Sequence, residues 1–191
     1  ILCFDELIRL EPEHSSGWHY KGSALHELER YEEATVCHDE DIRLDPEHSL
    51  GWCNKGLSLY ELKRYEEARA CFDEAIDLDP EDSILWFHKG NTFFHCKNYL
   101  ESIACYNRAI TLDPEYLLSW RNKSHAHQMM GDYTESDSCI LRIHSIEERK
   151  KSDKELAKAG IQVTRLDAEG RVVGRNFSKK EKGYKPLEAS T

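Results

Sequence analysis

Nowhere does this sequence hold the roughly 18 consecutive apolar residues that a membrane-spanning helix needs, so no membrane segment is expected. No charged-then-apolar leader opens the chain, and no secretory signal is expected either. A Gly-rich phosphate loop, an HExxH pair and a paired-carboxylate motif are all missing, so no catalytic residue and no cofactor are expected within residues 1–160. Seven cysteines include no CxxC pair, which argues against structural zinc. The one spacing worth weighing as a metal site is His88 and His95 with Cys96 adjacent. The two histidines lie roughly two helical turns apart, too far for one ion without further ligands, and they read as solvent-facing or capping residues; no metal is expected.

Basic charge is also scarce over most of the chain. Residues 1–149 hold 15 Lys and Arg against 30 Asp and Glu, a net of −15, whereas Lys150–Thr191 holds 11 against 6. Phosphate contacts need clustered Lys and Arg, so the acidic body excludes nucleic acid as an expected partner. The basic tail is a plausible ligand for the acidic body in cis.

What the sequence does contain is self-similarity at a period of 34 residues. Trp18, Trp52, Trp86 and Trp120 fall on one position and use up all 4 tryptophans of the chain. Gly22, Gly56 and Gly90 share another, with Ser124 in the fourth copy. Tyr31, Tyr65, Tyr99 and Tyr133 recur, as do Pro12, Pro46, Pro80 and Pro114. A fixed period of this length marks a solenoid, in which no unit buries its apolar face alone. Cys3, Cys37, Cys71, Cys105 and Cys139 occupy one column as small buried hydrophobes, and reduced cysteines fit a cytoplasmic protein. Cys53 and Cys96 lie outside that column.

Each period divides into two helical patterns. Leu50, Trp52, Cys53, Leu57, Leu59, Tyr60 and Leu62 wrap much of the first, as expected of a helix packed on more than one side. Ala68, Cys71, Phe72, Ala75, Ile76 and Leu78 give the second its i, i+3, i+4, i+7 stripe. Asp79–Pro80 ends it, because a residue before proline is pushed out of αR. Glycine costs a helix about 1 kcal/mol relative to alanine, and Gly22, Gly56 and Gly90 are expected where a side chain would block the facing helix.

This pattern resembles the tetratricopeptide repeat, with Trp52, Lys55-Gly56, Leu59, Ala68, Phe72, Ala75 and Pro80 at that family's offsets. The resemblance implies an all-α, right-handed superhelical solenoid of antiparallel helix pairs. It divides the chain into the second helix of a truncated repeat (1–14) and repeats at 15–48, 49–82 and 83–116. A degenerate fourth at 117–150 runs into a capping helix to about 159. Ile1 begins in mid-repeat, so a longer parent chain is expected. Beyond the cap, Ile161–Leu166 and Arg171–Gly174 can pair as a hairpin, and Asn176–Thr191 reads as disordered or as a linker.

Two departures stand out. In the first repeat His38 replaces the large aromatic residue and Asp41 the small alanine; three residues apart, they are expected to satisfy each other. In the fourth, Glu148 stands where proline would, so nothing stops the helix.

The family resemblance implies that first helices line a concave groove for an extended peptide or partner helix. Carried over by position, that groove takes Ser16, His19, Ser23 and His26 from the first repeat. Leu50, Cys53, Asn54, Leu57 and Tyr60 come from the second, and Ile84, Phe87, Asn91 and Phe94 from the third. The fourth gives Leu118, Arg121, His125 and Gln128. Tyr60, Phe87 and Phe94 are the expected anchors for an apolar segment. The clamp by which chaperone-binding relatives hold a C-terminal carboxylate maps to His19, Ser23, Asn54, Ile84 and His88, where only Asn54 agrees. The expected function is therefore a protein-protein interaction scaffold. Its alternatives are a regulatory or targeting module of a larger enzyme, and a self-assembling unit whose first helix exposes Phe4, Leu7 and Ile8.

Overall fold

The computed structural model describes residues 1–158, 164–166 and 172–175. In chain order the helices are α1 (Leu2–Leu10), α2 (Ser15–Glu27), α3 (Tyr31–Leu44), α4 (Ser49–Glu61), α5 (Tyr65–Leu78), α6 (Ser83–His95), α7 (Tyr99–Leu112), α8 (Leu117–Met129) and α9 (Tyr133–Lys158). Two short strands follow, β1 (Thr164–Leu166) and β2 (Val172–Arg175). Ile1–Arg142 forms one compact unit and Ile143–Thr191 a second.

Within the first unit, α2 packs on α3, α4 on α5 and α6 on α7. Each second helix then packs on the next first helix, and first helices also touch one another: α2 with α4, α4 with α6, α6 with α8. This is a helix-pair solenoid. Its helix-to-helix turns share one device. Glu29, Lys63, Lys97 and Gly131 take φ of 58°, 61°, 62° and 80°, the left-handed region. The following amides reach back five residues, Arg30 N to Leu25 O, Arg64 N to Leu59 O, Asn98 N to Phe93 O and Asp132 N to His127 O, each at 2.9 Å. That is the Schellman closure, which satisfies carbonyls left over at a helix end.

The glycine column has the packing reason expected of it. A Cβ on Gly22, Gly56 or Gly90 would meet the ring of His38, Phe72 or Tyr106 at 2.5, 2.8 and 2.6 Å. Each ring comes from the second helix of the same repeat and enters a notch only glycine leaves open. The rings are entirely buried: His38, Phe72 and Tyr106 are each 0% exposed. Ala34 and Ala68, also fully buried, let the second helix approach from its side. Gly56→Ala is therefore expected to destabilise by about 1–2 kcal/mol, because overpacking outweighs alanine's better helix propensity. A urea titration of the two proteins measures it, and a gain in stability would show the notch to be loose.

The tryptophans close the other end of each repeat. Their indole N–H groups donate to the carbonyl of the proline six residues earlier: Trp52 to Pro46, Trp86 to Pro80 and Trp120 to Pro114 at 3.0 Å, Trp18 to Pro12 at 3.4 Å. A lysine one turn on covers each ring, at 5.3–5.8 Å for Lys89 and Lys55 at the extremes. Lys21, Lys55 and Lys89 also bind Asp5, Asp39 and Asp73 on the preceding helix at 2.7, 2.6 and 2.6 Å. The cysteine column is buried from Cys37 to Cys139, and Cys3 in α1 is exposed. Burial pushes the Cys71 and Cys105 thiols up to about 11, which removes them as nucleophiles at neutral pH.

The first helix differs from expectation. Phe4 stacks on Tyr20 with ring centroids 6.1 Å apart, and Leu7 and Ile8 lie against the Gly17 position of α2. All three are half-buried, so the apolar side expected to be open is largely covered by α2; Leu2 and Leu10 are the large apolar residues of α1 left exposed.

With no proline at position 148, α9 continues from Tyr133 to Lys158 and buries Cys139, Ile143 and Ile146. In the second unit β1 and β2 pair antiparallel, Thr164 opposite Arg175 and Arg165 opposite Gly174, with an irregularity before Leu166. Residues 161–163 and Arg171 of the expected hairpin, and the disordered or linker state expected of Asn176–Thr191, lie outside the described residues.

Candidate groove and histidine cluster

The first helices α2, α4, α6 and α8 carry every predicted groove residue, and the structure sorts those residues into three groups. The first is exposed. Leu50, Ile84 and Leu118 hold the second position of α4, α6 and α8 and are 52%, 47% and 47% accessible. One aliphatic side chain per repeat is thus left in water at the same register. Arg121 and His125 are exposed as well.

The second group is half-buried and held by neighbours. His26 shares a hydrogen bond with Ser58 (3.0 Å), Asn54 donates to Ser23 Oγ (3.4 Å), and Asn91 Oδ1 accepts from both Tyr106 OH (2.7 Å) and Asn122 (2.8 Å). At the other end of the helices, rings meet from repeat to repeat. Tyr60 touches Tyr65 and His95 at 5.5 and 5.3 Å, and Phe94 touches Tyr99 and His125 at 5.4 and 4.8 Å. A cavity of about 130 Å³ opens among Ser23, His26, Glu27, His38, Asn54 and Leu57, bringing four predicted residues around one space.

The third group is core. Cys53 and Phe87 are 5% and 7% exposed. Cys53 belongs to the cluster around Phe72, and Phe87 packs on Tyr106, Ala109 and Tyr116. Phe87 is thus no free anchor. Its offset along the helix placed it on the groove side, but Tyr116, in the loop between α7 and α8, packs on it at 5.1 Å between ring centroids.

The two histidines weighed as a metal pair each pack on a different ring. His88 lies flat on Phe72 (5.7 Å, 17° between planes), and desolvation there holds its imidazole down to about 4. His95 stacks on Tyr65 (5.2 Å, 16°).

His38 and Asp41 behave differently from expectation too. They do not bond to each other. Asp41 Oδ2 bonds to His19 Nδ1 at 2.9 Å and has His48 Nδ1 at 3.5 Å. The His38 ring turns into the Gly22 notch, and both of its nitrogens are without hydrogen-bond partners among the described residues. Sequence reading missed His19 and His48 as partners because they sit 22 and 7 residues from Asp41, off the 34-residue register.

Residues 49–82 and 83–116 match the family model described as Tetratricopeptide repeat. These two segments are tetratricopeptide repeats. Solved structures agree on the fold. A crystal structure of MamA is 14% identical, with a TM-score of 0.75 over 78% of this chain and 87% of that one. MamA 41-end from Desulfovibrio magneticus RS-1 is 20% identical, with a TM-score of 0.73 over 76% and 82%. The first tetratricopeptide unit of Spaghetti (RPAP3), bound to the HSP90 peptide SRMEEVD, is 19% identical, with a TM-score of 0.60 over 61% and 93%. A search of curated protein sequences finds no match. Ahead of the matched pair, α2 and α3 pack on one another in the same way, with His38 and Asp41 in the columns that hold Phe72 and Ala75.

Proposed function

We propose that this chain is a non-catalytic scaffold that binds an extended peptide or partner helix along its first helices. The observation that carries the reading is the exposed column Leu50, Ile84 and Leu118, one aliphatic group per tetratricopeptide repeat. Tyr60 and Phe94 add a half-buried aromatic edge about ten residues on, roughly 15 Å along each helix. Single exposed leucines are ordinary; a periodic column on adjoining helices suits apolar side chains presented at a similar repeat.

The chosen ligand chemistry is apolar rather than acidic. At the clamp positions Asn54 is engaged with Ser23, Ile84 is aliphatic and His88 is packed on Phe72. None offers a lysine or arginine to a carboxylate. The peptide SRMEEVD, a ligand of the RPAP3 repeat unit, is expected not to bind here.

Selection of a random peptide library on the full chain supplies the test ligand. Fluorescence anisotropy then compares wild type with a Leu50→Ser, Ile84→Ser, Leu118→Ser variant. All three side chains are half exposed, so the variant is expected to fold normally. A loss of tenfold or more, about 1.4 kcal/mol or greater, supports the reading; unchanged affinity removes the column from it. A cytoplasmic or other reducing compartment belongs to the same proposal, supported by free thiols at all seven cysteines. The basic tail's docking on the acidic body concerns residues that lie mostly outside the described ones. Assembly through α1 has less support than the sequence suggested, since Phe4, Leu7 and Ile8 are engaged by α2.

A further inference from the structure

We propose that His19, His38 and Asp41 bind one divalent first-row transition-metal ion, zinc best suited among them, at the start of the repeat array. The three residues each bring one ligand atom to within 4.8 Å of the others. His19 comes from α2, and His38 and Asp41 come from α3.

Three observations carry this. The first is an unspent pair of nitrogens. His38 is 0% exposed, yet neither Nδ1 nor Nε2 has a hydrogen-bond partner among the described residues. Asp41 is also 0% exposed, and its Oδ1 has none either. Burying such groups unpaired is costly, and a cation that accepts electron pairs from imidazole and carboxylate removes the cost at both residues together.

The second is the replacement pattern. The columns that hold His38 and Asp41 hold Phe72 and Ala75 in the next repeat, and Tyr106 and Ala109 in the one after. Those apolar residues are fully buried core. The first repeat therefore exchanges two core residues for two ligand types. The opposite wall leaves room for the carboxylate. Gly51 stands where the next repeat has Leu85, and a Cβ at Gly51 would lie 2.9 Å from Asp41 Oδ2. Space filled by a leucine in the third repeat is here given to a carboxylate.

The third is donor supply and access. His48, in the loop before α4, places Nδ1 3.5 Å from Asp41 Oδ2 and is a candidate fourth donor. The His19 and His48 side chains are 14% and 31% exposed, which opens a path from solvent. Imidazole nitrogen with a single carboxylate suits zinc and its neighbours, whereas calcium and magnesium take all-oxygen shells. Bonds of about 2.1 Å hold tetrahedral donors about 3.4 Å apart, so the donors draw inward on binding. The ion then fastens α2, α3 and the loop before α4 to one another.

The test uses the full chain, stripped with chelator and titrated with Zn²⁺ against a chromophoric competitor, and with Co²⁺ by visible absorption. Wild type is expected to take one equivalent of either ion, to melt higher when loaded, and to show no thiolate-to-cobalt charge-transfer band. His38→Phe gives the first repeat the ring that Phe72 already seats beside Gly56, so it is expected to fold. It should bind at least about 100-fold more weakly. No stoichiometric binding by wild type, a charge-transfer band from cysteine, or undiminished binding by a folded His38→Phe protein would each overturn the assignment. Should His38→Phe fail to fold, His19→Ala decides by the same criterion, since that side chain is partly in solvent.

Discussion

Replacing Phe72 by alanine is expected to lower the unfolding free energy by about 3–5 kcal/mol, the range for a large aromatic side chain removed from a packed core. Phe72 is wholly buried, its ring fills the Gly56 notch, and His88 lies flat against it. Neither neighbour collapses easily into the space. A glycine has no side chain to swing inward, and the His88 ring is also in edge contact with Phe87 at 5.2 Å. Urea unfolding followed by circular dichroism measures the loss. A change under about 1 kcal/mol would mean that the ring does not key the two helices together. Because repeats depend on their neighbours alone, the damage is expected to centre on α4 to α6 rather than to spread evenly.

Acid is the second large lever, through His88. Its imidazole has a folded value of about 4 against a usual 6.5, chiefly because burial disfavours the charged form. The sign follows directly. Between those values the unfolded chain holds the proton and the folded chain does not, so stability falls as pH drops from 6.5 toward 4. The slope is about 1.4 kcal/mol per pH unit and the full effect roughly 3 kcal/mol. Asn54 and Asn122 occupy the same column, so His88→Asn is a substitution the repeat already tolerates. Stability measured from pH 7 to 4.5 is expected to fall more steeply for wild type than for His88→Asn. Parallel curves would mean that His88 reaches water and protonates normally in the folded chain.

How far the sequence revealed this molecule depends on which residues carried a period. The glycine notches, the rings that enter them and the tryptophan column recur every 34 residues, and recurrence marks both partners of a contact at once. Groove residues were harder. Leu50 and Phe87 both lie on first helices, but one stands in water and the other lies beneath Tyr116. That difference comes from how the loop between α7 and α8 crosses, which helical offset alone does not encode. Asp41 shows the remaining gap. Spacing along α3 suggested His38 as its partner, while the backbone turns His38 toward Gly22 and Asp41 toward Gly51, His19 and His48. The partners that matter there are neighbours in space without any regular interval in the chain. A column-by-column comparison of the first repeat with the next two carries the available signal, two apolar positions turned to His and Asp.

The indole bonds to the proline carbonyls have a use beyond closing each repeat. Because every repeat holds a single tryptophan in the same pocket, with the same carbonyl acceptor and a lysine over the ring, the chain contains four matched optical reporters spaced one per unit. Variants that keep one indole and place phenylalanine at the other three would each fluoresce from a single known station. Their melting profiles, overlaid, would show directly whether the array comes apart from its ends or yields first in its middle.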